Sequence, residues 1–360
     1  MRELERMTFG QSRRRIVIEL AVAMKSHTVP EKLLKQFAFK HPVKGLRLWR
    51  YQKIREPYWD VSPSKATVVE GQFSDPRNAQ REESIETELN QRFENPVHDF
   101  IEQLGFRTFV FGANHTVALA PYIALLWHRS KARKAVARLH RNLSIETLEK
   151  LKERNDLLER IATNWTHDKI RQGRSLSEPV GMDKVIETIN RFIERFNSPG
   201  HVETSYADTM ERVMEGEDTT FDGAQWGMVY TEPENPFVIG DAPVVTWCRD
   251  QHGVAQYGIG FREPNVEVLL PVSPTVCLHV LPNVQRTRAI ITPRAFEVNA
   301  AEAAFAEACY TNVCSNSLNQ HLQQYFGRAE MGINAFSIAH KDYVTLFCEH
   351  LILHGVPPNV

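Results

Sequence analysis

The spacing of apolar residues changes twice along this chain. From residue 84 to 104 it is helical. Ile85, Leu89, Phe93, Val97, Phe100 and Ile101 form one stripe in "SIETELNQRFENPVHDFIEQL", and Ser84 stands where a cap belongs. Pro96 falls inside the run and is expected to kink it, because proline has no amide proton and crowds the carbonyl four residues back. Residues 117–127 are apolar on all sides, which marks a buried helix too short to span a bilayer. A helix is expected from about His115 into "WHRSKARKAVARLHRNL", bending or restarting at Pro121. Another is expected to start at Ser144, and two more cover 183–196 and 201–215.

Other stretches have the period of strands. "LRLWRY" alternates apolar and polar positions ahead of a Pro- and Ser-containing stretch, 52–80, expected to be mostly loop. After Trp226 the chain breaks into short β-branched runs, "WGMVY", "FVIGDAPVVTW", "VEVLLPVS" and "TVCLHVLP", punctuated by Pro and Gly. "NAAEAAFAEACYTNVCSNSLNQHLQQYF" then returns to a helical composition. The expectation is an α+β fold. Its mostly helical part, 24–220, packs with a small, largely antiparallel sheet from 221–295 and a helix over 296–325. Residues 1–23 form a basic N-terminal extension and 326–360 a C-terminal segment. Pro199 and Gly200 admit either a linker over 198–205 or one integrated domain.

Composition narrows the function classes. A formal net charge of −1 leaves no global field toward nucleic acid or membrane, so any such attraction is local. The five cysteines are odd in number and lack CxxC or CxxH spacing, as expected of reduced thiols in a cytoplasmic protein. "RRRIVIELAVAMKSH" is too short and too broken by Glu19 to serve as a leader or a span. Phosphate-binding GxxxxGK[ST], dinucleotide GxGxxG, nucleophile-elbow GxSxG and zinc-binding HExxH patterns are missing from the sequence.

A series of weaker motifs has a telling order. "HTVPEKLLKQF" presents His27, Val29, Pro30, Leu34 and Phe37; "LRLWRY" follows; Glu86 and Glu94 punctuate "IETELNQRFE"; then come "IALLWHRSKAR", "FVIGDAPVV", "LLPVSPTVCLHV" and "FEVNAAEAAFAEACYTNVCS". Over roughly 24–318 this order resembles an uncharacterised, mainly bacterial family, domain of unknown function 4238. Gly240 and Ala242 depart from the Ser and Asn that flank Asp241 in the family pattern.

The resemblance implies positions, and their chemistry follows from residue type. His27 is suited to acid–base work near neutral pH, and Glu86, Glu94 and Asp241 to positioning water or a divalent metal. Glu86 and Glu94 border the apolar stripe and differ by about 80° around a regular helix. Ordinary boundary glutamates have the same placement. Arg129, Lys131, Arg133, Lys134, Arg138 and Arg141 make a basic run without an acid, in which Arg129 and Arg133 share a face. Such a run suits phosphate groups or nucleic acid, a solvated face, or salt bridges to the acidic helix 84–104. The function expected first from these residues is a cytoplasmic hydrolase, such as a nuclease or other phosphoester-acting accessory or defence enzyme, using His27, Glu86, Glu94 and Asp241 with Arg129 and Arg133 as phosphate binders. The alternative is a non-enzymatic ligand- or protein-binding module in which the same residues are structural.

The His-Val-Pro element of the family lies near the N-terminus, so Met24 is the expected start. Deleting residues 1–23 is expected to leave the melting temperature almost unchanged; a large fall contradicts this.

Overall fold

The computed structural model describes residues 25–282 except 53–57, 71, 74, 76, 77, 79, 107, 174–177, 217–219, 250–254, 259, 262 and 264, together with 305, 309, 311–318 and 322. The expected N-terminal extension, the C-terminal segment and most of the last expected helix lie outside the described residues.

Small elements come first: β1 (Lys25–His27), α1 (Glu31–Gln36), β2 (Phe39–His41), β3 (Gly45–Gln52), β4 (Trp59–Val61), α2 (Pro63–Ala66) and β5 (Val68–Glu70). A helical block follows: α3 (Arg81–Glu88), a π-helical turn (Leu89–Glu94), α4 (Asn95–His98), α5 (Ile101–Leu104), α6 (Ala113–His128), α7 (Lys131–Lys152), α8 (Asn155–Arg171), α9 (Met182–Asn197) and α10 (His201–Met214). Strands return as β6 (Gln225–Tyr230), β7 (Ile239–Gly240), β8 (Val245–Arg249), β9 (Ala255–Tyr257), β10 (Glu267–Ser273), β11 (Val276–Leu281) and β12 (Asn312–Ser315).

The class is α+β. One five-stranded antiparallel sheet runs β6-β11-β10-β8-β9, as the late cluster of apolar runs predicts. A second antiparallel sheet runs β2-β3-β12-β7, with β4 also on β3. It joins segments distant in sequence: Val313 pairs with Tyr51 on one side and Gly240 on the other. This corrects the helix expected over 296–325, since 312–315 is a strand. Val313 and Cys314 are buried there. Backbone partners offered by β3 and β7 outweigh the weak helix preference of a segment containing Thr and Val. The stretch 52–80 also holds more structure than a loop, namely β4, α2 and β5.

Two cores organise the helices. The main one unites α1, α3, α6, α10 and both five-stranded sheets. A separate one gathers Leu148 and Leu151 of α7, Leu158 and Ile161 of α8, and Val185, Ile189, Ile193 and Phe196 of α9. Near its start α7 packs Ala132 and Val136 on Ala242. It then continues unbroken through Ser144, where a new helix was expected. Ser130 is the cap in use, accepting the Arg133 amide at 3.4 Å. Pro121 does not break α6 either. The carbonyl that loses its partner belongs to Val117, a residue 72% exposed, so that turn stands at the surface. Residues 198–200 are a tight junction between α9 and α10, with Gly200 at φ +74°. Among the described residues no helix is long and apolar enough to cross a membrane.

The departure at Gly240 has a steric reason. A Cβ built there would meet the Cys309 Cβ at 2.8 Å and the Phe305 carbonyl oxygen at 3.5 Å. Gly240→Ser is therefore expected to lower stability by about 1–3 kcal/mol, measured by urea denaturation. An unchanged midpoint contradicts this close approach.

Candidate functional site around Arg129

The site begins with a local conflict in the sequence. Pro96 cannot donate to the Arg92 carbonyl and its ring would crowd that oxygen in a regular helix. The chain answers with one wide turn instead of the expected sharp kink. The Asn95 amide donates to the Asn90 carbonyl five residues back. The Asn90 side-chain amide also donates to the Glu86 carbonyl at 2.8 Å, adding a bond where the ladder loosens. The geometric consequence is large. Eight residues of α-helix leave an offset of about 80°. One extra residue in a turn removes about 100°. Glu86 and Glu94 then lie only about 20° apart, and both are buried, at 4% and 6% exposure.

Arg129 fills the space between them. It follows the last residue of α6, where its amide donates to the Leu125 carbonyl at 2.8 Å. Its side chain, 3% exposed, turns inward. Nη2 donates to both Glu86 oxygens at 3.1 and 3.2 Å, and Nη1 donates to Glu94 Oε1. The guanidinium also lies 5.8 Å from the Phe73 ring centroid. Its backbone is held from outside the helix. Gln72 Nε2 donates to the Arg129 carbonyl at 2.8 Å and to Tyr206 Oη at 3.0 Å, while Tyr206 Oη donates to the His128 carbonyl at 2.6 Å. Burial opposes the charge on Arg129, but Glu94 and Glu86 together hold its pKa above the ordinary value. Burial raises the Glu86 carboxyl, with Arg129 pulling the other way.

His27 stands at the edge of this centre, half-buried. Its strand is fixed by β5, with His27 opposite Val68, and by Thr67. The Thr67 hydroxyl accepts the Val29 amide at 3.3 Å and donates to the Val29 carbonyl at 3.1 Å. The Thr-Val of the opening motif is thus anchored by a residue about forty positions on. Burial, then Arg129, lower the His27 pKa; Glu31 and Glu94 oppose the shift. His27 is neutral at pH 7. His98, one turn after Glu94, is also lowered by burial.

Four predicted positions therefore converge: His27, Glu86, Glu94 and Arg129. Asp241 belongs to another set of contacts. Its Oδ2 accepts the Thr311 amide at 2.9 Å, the Thr311 hydroxyl at 2.6 Å and the Asn312 amide at 3.2 Å. The carboxylate fastens the entry of β12. Arg133 is part-buried, and its guanidinium lies over the Trp127 ring. Three more residues of the basic run have partners within the protein, although Arg138 stays exposed. Lys134 donates to the Gln72 carbonyl, Arg138 pairs with Glu203, and Arg141 donates to the Phe196 carbonyl. Of the salt bridges expected toward helix 84–104, the Arg129 pair is present. Among the described residues, no group of three or more His, Cys, Asp or Glu is arranged to hold a metal ion.

Sequence reasoning missed Gln72, Phe73, Tyr122 and Tyr206. Tyr122 had one signal, a lone hydroxyl in the otherwise apolar "ALAPYIALLW". With Glu94, Arg129 and four apolar side chains it encloses a cavity of about 10 Å³.

The sequence pattern of the family described as protein of unknown function (DUF4238) matches residues 25–318. No curated protein and no solved structure matches the chain.

Arg129→Met is expected to cost about 3–5 kcal/mol by urea denaturation, because it strands two buried carboxylates; a loss below about 1 kcal/mol, the range of an exposed pair, contradicts the buried pairing. The His27 shift makes a second prediction. Its folded pKa lies below its unfolded value, so the unfolded chain binds more protons as pH falls below about 6.5. Stability attached to His27 is complete above that pH and is lost below it. His27→Gln is expected to show a shallower loss of stability between about pH 7 and pH 5, His98 and His140 keeping their own share. An identical slope contradicts this.

Proposed function

The chain belongs to the DUF4238 family of proteins of unknown function, and we propose that it is a non-enzymatic ligand- or protein-binding module. In this reading His27, Glu86, Glu94, Arg129 and Asp241 hold the fold. One observation supports it above the others: Arg129 is engaged by both glutamates in a core with about 10 Å³ of free space. A hydrolytic site needs its acid or base within hydrogen-bond reach of a bound substrate, about 2.6–3.2 Å. The Asp241 contacts favour the same reading, since three donors of one turn converge on a single carboxylate oxygen. A cytoplasmic location fits Cys248, Cys277, Cys309 and Cys314, which stand outside any disulfide.

A second reading keeps the hydrolase, possible nuclease action included. A specific observation favours it. Burial and Arg129 lower the His27 imidazole, while burial raises the Glu86 carboxyl paired to that same Arg129, and such opposed shifts mark acid–base pairs in enzymes. His27 would then act as base and Glu86 as acid, with Arg129 stabilising negative charge.

The two readings separate in one assay. The full chain is incubated with chromogenic phosphomonoester, phosphodiester and carboxyl-ester substrates and with single-stranded DNA and RNA, with and without magnesium or manganese. The binding-module reading predicts no turnover that His27→Ala removes. Turnover abolished in a His27→Ala protein with an unchanged melting temperature would overturn it in favour of the hydrolase.

A further inference from the structure

We infer that the ribbon of β3 and β4 binds single-stranded nucleic acid, with Arg50 on a phosphate and Trp59 stacked on a base. The site supplies a ligand for the binding-module reading and rests on that reading. Charge is the first observation. Lys40, Lys44, Arg47, Arg50, Lys53 and Arg55 fall within 40–55 and no acid does, in a chain of net charge −1. A local field of this kind attracts polyanions whatever the overall balance. Asp60 pairs with Lys44 and Arg47. Arg50 and the exposed Lys40 have no acidic partner among the described residues.

Arg50 is held in place for such a contact. It stands opposite Trp59 in the register of β3 and β4, with its guanidinium 5.2 Å from the ring centroid. Arg50 Nε donates to Asn312 Oδ1 at 2.9 Å, the Asn312 side-chain amide donates to Thr311 Oγ1 at 2.7 Å, and the Thr311 hydroxyl donates to Asp241 Oδ2 at 2.6 Å. Asp241 thus orients Arg50 through Thr311 and Asn312. Among the described residues both Arg50 Nη groups are left without a hydrogen-bond partner, and that end of the fork matches two phosphate oxygens. Trp59 is 37% exposed. On the other face of the ribbon Phe39, Trp49 and Tyr58 pack on one another instead. An exposed ring beside unneutralised cations is what a single strand requires, since every base has a stacking face and every linkage a phosphate. Lys40 lies opposite Leu46 and so shares the face of Arg50. The exposed Val43 and Leu46 at the adjoining turn would suit an anionic lipid surface. A lipid surface needs only net charge, whereas the oriented guanidinium and its ring fit discrete phosphates and bases.

The full chain is titrated into short fluorescein-labelled oligouridylate and oligothymidylate, with anisotropy as the readout. Binding tighter than about 10⁻⁴ M at low salt is expected, weakening about tenfold between about 50 and 200 mM salt. Trp59→Leu is expected to weaken it at least about fivefold, through the loss of one stacked base. Lys40→Glu, at an exposed side chain, is expected to weaken it at an unchanged melting temperature, and it carries the test should Trp59→Leu fold poorly. Arg138→Gln, on the exposed part of the α7 basic run, is expected to bind like the unaltered chain. No binding at low salt, binding that Trp59→Leu and Lys40→Glu leave intact, an equal loss in Arg138→Gln, or binding to phosphatidylserine vesicles in place of oligonucleotides overturns the proposal. Such a failure leaves the binding-module reading standing, because only turnover abolished by His27→Ala removes that reading.

Discussion

A buried guanidinium is the constraint on which this structure turns. Taking Arg129 out of water costs several kcal/mol unless opposite charges and acceptors meet it. Two carboxylates do so, and both come from one irregular helix. Their convergence depends on the wide turn at 89–94, and that turn follows from Pro96. A regular helix would aim Glu86 and Glu94 in different directions. Irregular backbone and buried charge are therefore parts of one solution. The surrounding bonds from Gln72 and Tyr206 fix the backbone of the short link between α6 and α7, from which the Arg129 side chain turns inward.

A second polar anchor works at the sheet. Asp241 collects the amides that lead into β12, and β12 closes the gap between β3 and β7. These strands are distant in sequence, and their pairing is what unites the N-terminal elements with the later apolar strands. Gly240 lets the same corner pack against Cys309 and Phe305. The two anchors share a logic. Each buried carboxylate meets donors from a segment far along the chain, and each lies in a motif that carried the family resemblance. Motif polarity therefore reflects folding constraints at least as directly as chemistry.

Much of this was legible from the apolar pattern. The 84–104 stripe, α9, α10 and the late antiparallel strands follow from residue spacing, because their burial depends on one local face. The convergence of His27, Glu86, Glu94 and Arg129 was approached through the order of the motifs. Other features lay beyond the pattern. Pro96 signalled disturbance, yet nothing local distinguishes a kink from a wide turn. Ser144 has the composition of a cap but sits buried inside α7, while Ser130 does the capping. The strand at 312–315 is set by partners on β3 and β7, so its own helix-compatible neighbours misled. The anchoring of β12 by Asp241 was not legible, because its donors, Thr311 and Asn312, are seventy positions away.

The central claim is that Glu86, Glu94 and Arg129 stabilise the fold by neutralising one another. Its most direct measurement is the unfolding free energy of the triple variant Glu86→Leu, Glu94→Leu, Arg129→Met beside each single substitution. Mutual neutralisation predicts that the triple variant is folded and more stable than Arg129→Met alone, since no buried charge is left unpaired. A triple variant that is unfolded, or whose loss equals the sum of the three single losses, would contradict the account.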